Sequence, residues 1–128
     1  GSTSTPGNLV LELVGPSTGT SKGVSFIFNA DQTKVTWGST TNLAFNLGSG
    51  TQALVSKTSS TQLQYGAFQK PPTAAVSLAQ PLTRFNLTLK PGIPVNTSVT
   101  ISVSAANQLP GTGGPATITI FPGTLIAN

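Results

Sequence analysis

Apolar side chains fall on every second position through most of this chain. Leu9, Leu11 and Leu13 alternate with Val10, Glu12 and Val14, and Val24, Phe26 and Phe28 with Ser25, Ile27 and Asn29. The same step recurs at Leu43, Phe45 and Leu47, at Phe85, Leu87 and Leu89, at Val99, Ile101 and Val103, and at Ala116, Ile118 and Ile120. A period of two is that of a pleated strand with one face on a core and one in water. A helix would need apolar spacing of three to four, and the β-branched residues here disfavour one. Gly15-Pro16, Gly48-Ser49-Gly50, Pro71-Pro72, Lys90-Pro91-Gly92, Pro110-Gly111 and Pro122-Gly123 punctuate the runs as turns. The pattern predicts strands near 8–14, 23–29, 33–37, 42–47, 52–57, 61–69, 82–89, 97–104, 115–121 and 123–127. Short strands at this spacing read as an all-β antiparallel sandwich or barrel. Between Asn29 and Thr36 the chain has room for one helical turn, with Asp31 as its cap.

A chain of 128 residues is the size of one domain. Residues 1–7, Gly-Ser-Thr-Ser-Thr-Pro-Gly, read as a flexible tether ahead of a single domain over 8–128. Such tethers follow the lipidated cysteine of bacterial lipoproteins. The chain has no Cys, so the core must hold the fold without disulfides. No stretch is apolar for the 18 residues a membrane span needs. The net charge of +4 reflects missing acids rather than plentiful bases. The five Lys and Arg84 are dispersed, with no basic run and no interleaved aromatic platform, which argues against a nucleic-acid partner.

Candidate chemistry is sparse. There is no His, no Cys and no Met, and the only acids are Glu12 and Asp31. A serine nucleophile would lack its histidine base, and no Gly-x-Ser-x-Gly elbow is present. Two acids drawn from a strand and a turn are a forced carboxylate pair rather than a glycosidase signature. Calcium wants several carboxylates in one loop and zinc wants His or Cys, so no metal and no cofactor is expected. The reading is of a chain without enzyme activity.

The residues left to recognise a partner are aromatic. Trp37 precedes Gly38 at an apparent strand end. Tyr65 shares parity with Leu63, whereas Phe68 has the opposite parity. Phe68 is therefore either exposed or returned inward by a bulge at Gly66. Trp37, Tyr65 and Phe68 are the partner-binding candidates, each also readable as core. Asn86-Leu87-Thr88 and Asn96-Thr97-Ser98 match the N-glycosylation pattern, a weak signal in a chain this rich in Asn and Thr. Glu12 is the one residue that a Lys–Asn isopeptide crosslink could use as its buried promoter; the plainer reading is a solvent-facing Glu on an edge strand.

The order of segments resembles the cohesin-like domains of bacterial cell-surface proteins. The likeness runs over Leu9 to Val14 with its Gly-Pro, Gly23 to Val35, Pro81 to Lys90, Thr97 to Ser104, and Thr117 to Ile126 with its Gly-Thr. It implies a jelly-roll sandwich of about nine strands, cohesin-like or immunoglobulin-like in class. It also implies attachment to a protein partner, dockerin-like or an envelope component, through one sheet face. No dockerin contact or calcium ligand transfers residue by residue. A carbohydrate-binding module, taking a glycan on exposed rings, is the related alternative. A structural subunit of a pilus, surface layer or archaeal filament is another. The expected location is extracellular, cell-surface or periplasmic.

Overall fold

The structure is a computed structural model that describes residues 7–45, 54–59, 62–69, 74–111, 114, 116–121 and 124–127. The alternating runs become strands because branched and aromatic side chains pack well on a pleated surface. These are β1 (Asn8–Val14), β2 (Thr20–Ala30), β3 (Val35–Asn42), β4 (Leu54–Thr58), β5 (Gln62–Phe68), β6 (Val76–Ser77), β7 (Pro81–Leu89), β8 (Ser98–Pro110), β9 (Ala116–Thr117) and β10 (Thr124–Ile126). Among the described residues there is no helix, and therefore none long and apolar enough to cross a membrane.

All pairings are antiparallel. A small sheet runs β1-β7-β3. A large one runs β10-β8-β2-β5-β4, with β6 added to β2 and β9 to β8. The two face each other as a sandwich, the antiparallel two-sheet class that the alternation predicts. Val24, Phe26 and Phe28 of β2 and Leu63, Tyr65 and Ala67 of β5 meet Val35 and Trp37 of β3 and Phe85 and Leu87 of β7 in one buried cluster. Each large side chain so buried contributes about 2 kcal/mol of transfer free energy. The rings pack together, with Phe26 4.1 Å from Phe28, Phe28 5.4 Å from Phe85, and Phe85 6.1 Å from Trp37 between centroids.

Among the described residues, four register shifts set which residues face inward. One lies in β7, where Leu82 is extra opposite the Leu13–Val14 step and both Leu82 and Thr83 are buried. In β8, Ser104 is the extra residue, since Ile27 pairs with Ala105 and Phe28 with Val103. Val99 and Ile101 face the core before it and Ala106 after it. In β3, Gly38 and Ser39 together oppose Asn86, whose amide donates to Ser39 Oγ at 2.6 Å. In β2, Lys22 is extra, and the buried Ser21 hydroxyl accepts from Gly23 N at 3.1 Å.

Several expectations change. Trp37 does not end its strand, because the Gly38–Ser39 bulge carries β3 on to Asn42. A strand over 42–47 is not found in its described part: the Asn42 side chain binds Phe45 N and Phe45 O, closing a loop, while 46–47 lie outside the described residues. The helical turn after Asn29 is there as a single isolated turn capped by Asp31. Asp31 Oδ1 accepts from Thr33 N at 2.8 Å, and Asp31 O accepts from Lys34 N at 3.0 Å and from Val35 N at 3.1 Å. β8 outruns the expected 97–104 and reaches Pro110, its bulge having disguised the continuation. The strand expected over 115–121 shrinks to Ala116–Thr117. Of the tether, residues 1–6 lie outside the described residues, and Gly7 O already accepts from Leu89 N.

Candidate functional site

The partner-binding candidates separate by parity. Trp37 is 7% exposed and Tyr65 3% exposed, both inside the sandwich. A stacking platform needs open ring faces, and neither residue offers one. Burial pushes the Tyr65 phenol up; the Thr83 hydroxyl stands close enough to oppose that shift, yet neither hydroxyl completes a well-formed hydrogen bond.

Phe68 lies on the outer face of the large sheet. The register between β2 and β5 is unbroken through Gly66, so no bulge turns Phe68 inward. Its ring settles over glycines. A β-carbon on Gly23 would collide with the Phe68 ring and come within 2.5 Å of Ala67 O. One on Gly66 would meet the far side of the same ring at 3.4 Å. Glycine at both positions lets a half-buried phenyl lie flat on the sheet, a cross-strand cover for bare backbone.

Rows of cross-strand partners extend from this ring over three strands. Phe68, Gly23 and Leu109 form one, Gly66, Ser25 and Asn107 the next, and Gln64, Ile27 and Ala105 the third. At the far end Asn29 Nδ2 donates to Ser104 Oγ at 2.8 Å. The face thus mixes one ring and three aliphatic side chains with amides and hydroxyls. No acid occurs anywhere on β2, β5 or β8. Such a surface is low in charge and carries an aromatic at one end, a composition that protein interfaces share.

The outer face of the small sheet differs. There the polar groups satisfy one another: Arg84 donates to Glu12 Oε1 at 2.8 Å, and Thr88 Oγ1 donates to Asn8 Oδ1 at 2.8 Å. Glu12 is a solvent-facing partner of Arg84 rather than a buried crosslink promoter. No group of three metal-ligating side chains occurs among the described residues.

An apolar groove of about 780 Å³ opens beside β1, between Leu11, Leu13 and Val14 and the segment Ile118 to Phe121. Phe121 is 90% exposed at its rim. Sequence reasoning passed over Phe121 although its parity, opposite to Ile118 and Ile120, is the signal that singled out Phe68.

No family model and no curated protein sequence matches the chain. Solved structures do. The sixth cohesin of scaffoldin B from Acetivibrio cellulolyticus, solved in complex with a Cel5 dockerin, superposes with a TM-score of 0.71 over 91% of this chain and 86% of its own, at 17% identity. The chain has the cohesin fold. The third cohesin of ScaC from the same organism, solved with the ScaB dockerin, gives 0.53 at 16% identity over 79% and 71%. The cohesin module of a family 33 glycoside hydrolase from Clostridium perfringens gives 0.53 at 12% identity over 97% and 96%. At these identities the cohesin fold is what is shared.

Proposed function

We propose that this cohesin-like domain is a non-catalytic attachment module that docks a protein partner on the outer face of its large sheet. The observation that carries this reading is the Phe68 ring laid over Gly23 and Gly66, the one aromatic on an acid-free face of amides and hydroxyls. Two of the similar structures are cohesins solved with dockerins, which makes a dockerin the first partner to try. A Thr-, Ser- and Asn-rich chain without Cys suits an exported surface protein, and an extracellular or envelope location is part of the proposal.

Calorimetric titration against a panel of dockerin modules tests it. Binding that weakens about tenfold or more in Phe68→Ala supports the face. Binding indifferent to Phe68→Ala would move the interface elsewhere. A second reading, a structural subunit of a surface assembly, is favoured by the outer edge of β1, which pairs with no strand among the described residues, and an assembly state that grows with concentration would speak for it. The glycan reading has less to stand on, since Phe68 alone of its three rings is on a surface.

A further inference from the structure

β1 bonds to β7 on one side and to no strand on the other among the described residues. Leu89 N donates to Gly7 O at 3.0 Å, which makes the odd-numbered positions the hydrogen-bonded pairs of this ladder. In an antiparallel pair the intervening residues turn both backbone groups away. The N–H and C=O of Asn8, Val10 and Glu12 therefore point out of the sheet. Edge strands are normally guarded by lysine, proline or a bulge. β1 has none of these from Asn8 to Leu13, and its single charge is matched by Arg84. The apolar groove lies beside this edge. Val10 is 55% and Val14 56% exposed.

We propose that this edge is completed by a second copy of the same chain, β1 against β1 in antiparallel pairing, giving a continuous six-stranded sheet across a twofold axis. The edge asks for an extended strand of similar length with alternating aliphatics and a free ladder of its own. The small sheet's other edge, β3, is interrupted by the Gly38–Ser39 bulge and lined with Thr and Ser. β1 meets the requirement itself. A register that sets Val10 opposite Glu12 of the second copy puts Leu11 on the axis and keeps the two Glu12 carboxylates apart. Sliding by two residues would set Glu12 directly against Glu12. The exposed faces of Val10, Val14, Leu9 and Phe121, doubled by symmetry, supply on the order of 1,000 Å², the lower bound of a specific interface. Because the contact is isologous, it closes as a dimer and does not propagate.

Sedimentation velocity of the whole chain, from low micromolar to near-millimolar concentration, tests this. The expected result is a reversible monomer–dimer equilibrium. Val10→Pro removes an outward N–H that no bond among the described residues uses, and it should weaken dimerisation about tenfold or more while circular dichroism is unchanged. Phe121→Ser serves as the second variant should Val10→Pro misfold, and it should weaken the dimer in the same direction. Hydrogen exchange at Val10 and Glu12 should slow as concentration rises. A monomer throughout the range would overturn the proposal. So would a dimer lost on Phe68→Ser but kept in both edge variants, or Val10 and Glu12 amides protected equally at every dilution, which would mean that the chain's own segment fills the edge.

Discussion

Phe68 and Gly23 face each other across β5 and β2, the ring of the first resting on the bare backbone of the second. β2 could hold no larger residue at position 23 without moving both that ring and the β5 backbone at Ala67 and Phe68. Gly23→Ala should therefore lower stability by about 1–3 kcal/mol, the usual cost of overpacking. Phe68→Ala removes only a half-buried ring and should cost less. Urea unfolding would show this as a midpoint lowered more by Gly23→Ala than by Phe68→Ala, with similar slopes.

Trp37 packs against Phe85 and Phe28 between the sheets. Its fluorescence should be blue-shifted and resist iodide quenching. Trp37→Ala should destabilise the fold by about 3–5 kcal/mol. An emission maximum typical of water-exposed tryptophan would contradict the packing described.

Tyr65 titrates above the ordinary tyrosine value of 10.0 because its phenol is desolvated. The unfolded chain then releases this proton at lower pH than the folded one. Stability contributed by the neutral phenol is complete below about pH 10 and falls as pH rises through the folded value. Tyr65→Phe should blunt that alkaline loss. At neutral pH it should be near neutral, within about 1 kcal/mol, since the hydroxyl it removes lacks a partner. Chemical unfolding at neutral and alkaline pH measures both.

Asp31 is held below its ordinary value of 3.8 by the Thr33 hydroxyl and amide, with the nearby Lys34 ammonium adding to them. A depressed carboxyl stabilises above its unfolded value and ceases to do so as pH falls through the folded one. With no His in the chain, thermal midpoints should be flat between pH 5 and 8 and begin to drop only below about pH 4. Asp31→Asn should reduce that acid-side drop. A midpoint that moves by many degrees between pH 6 and 8 would count against this picture.

The architecture was legible wherever alternation ran unbroken. β1 and β7 appear where Leu9 to Leu13 and Phe85 to Leu89 place them, since cross-strand packing and parity agree there. Legibility failed where one residue slipped out of phase. Ser104 hid the second half of β8, and Gly38 made β3 look finished at Trp37. Leu43 to Phe45 were read as strand because Leu43 and Phe45 keep the period, yet the side chain of Asn42, the last residue of β3, binds Phe45 and closes a loop. For the candidate site, parity isolated Phe68, and the same test would have raised Phe121. The glycines beneath the Phe68 ring could not be matched to it without the β2–β5 register, which no local pattern encodes.

The extra residue at Ser104 also bears on how this chain should be lined up with others. Pairing the strand straight through that serine, with no bulge, would turn Asn107 and Leu109 toward the core and Gln108 toward solvent, inverting the last third of the strand in a single step. The bulge absorbs the extra residue, so the facing of the residues beyond it depends on the bulge being formed. An alignment that scores strand positions without a gap at 104 would pair outward residues with inward ones from that point on. At identities below a fifth, one unplaced gap of this kind is enough to scramble the docking rows of the sheet while leaving the superposition of backbones untouched.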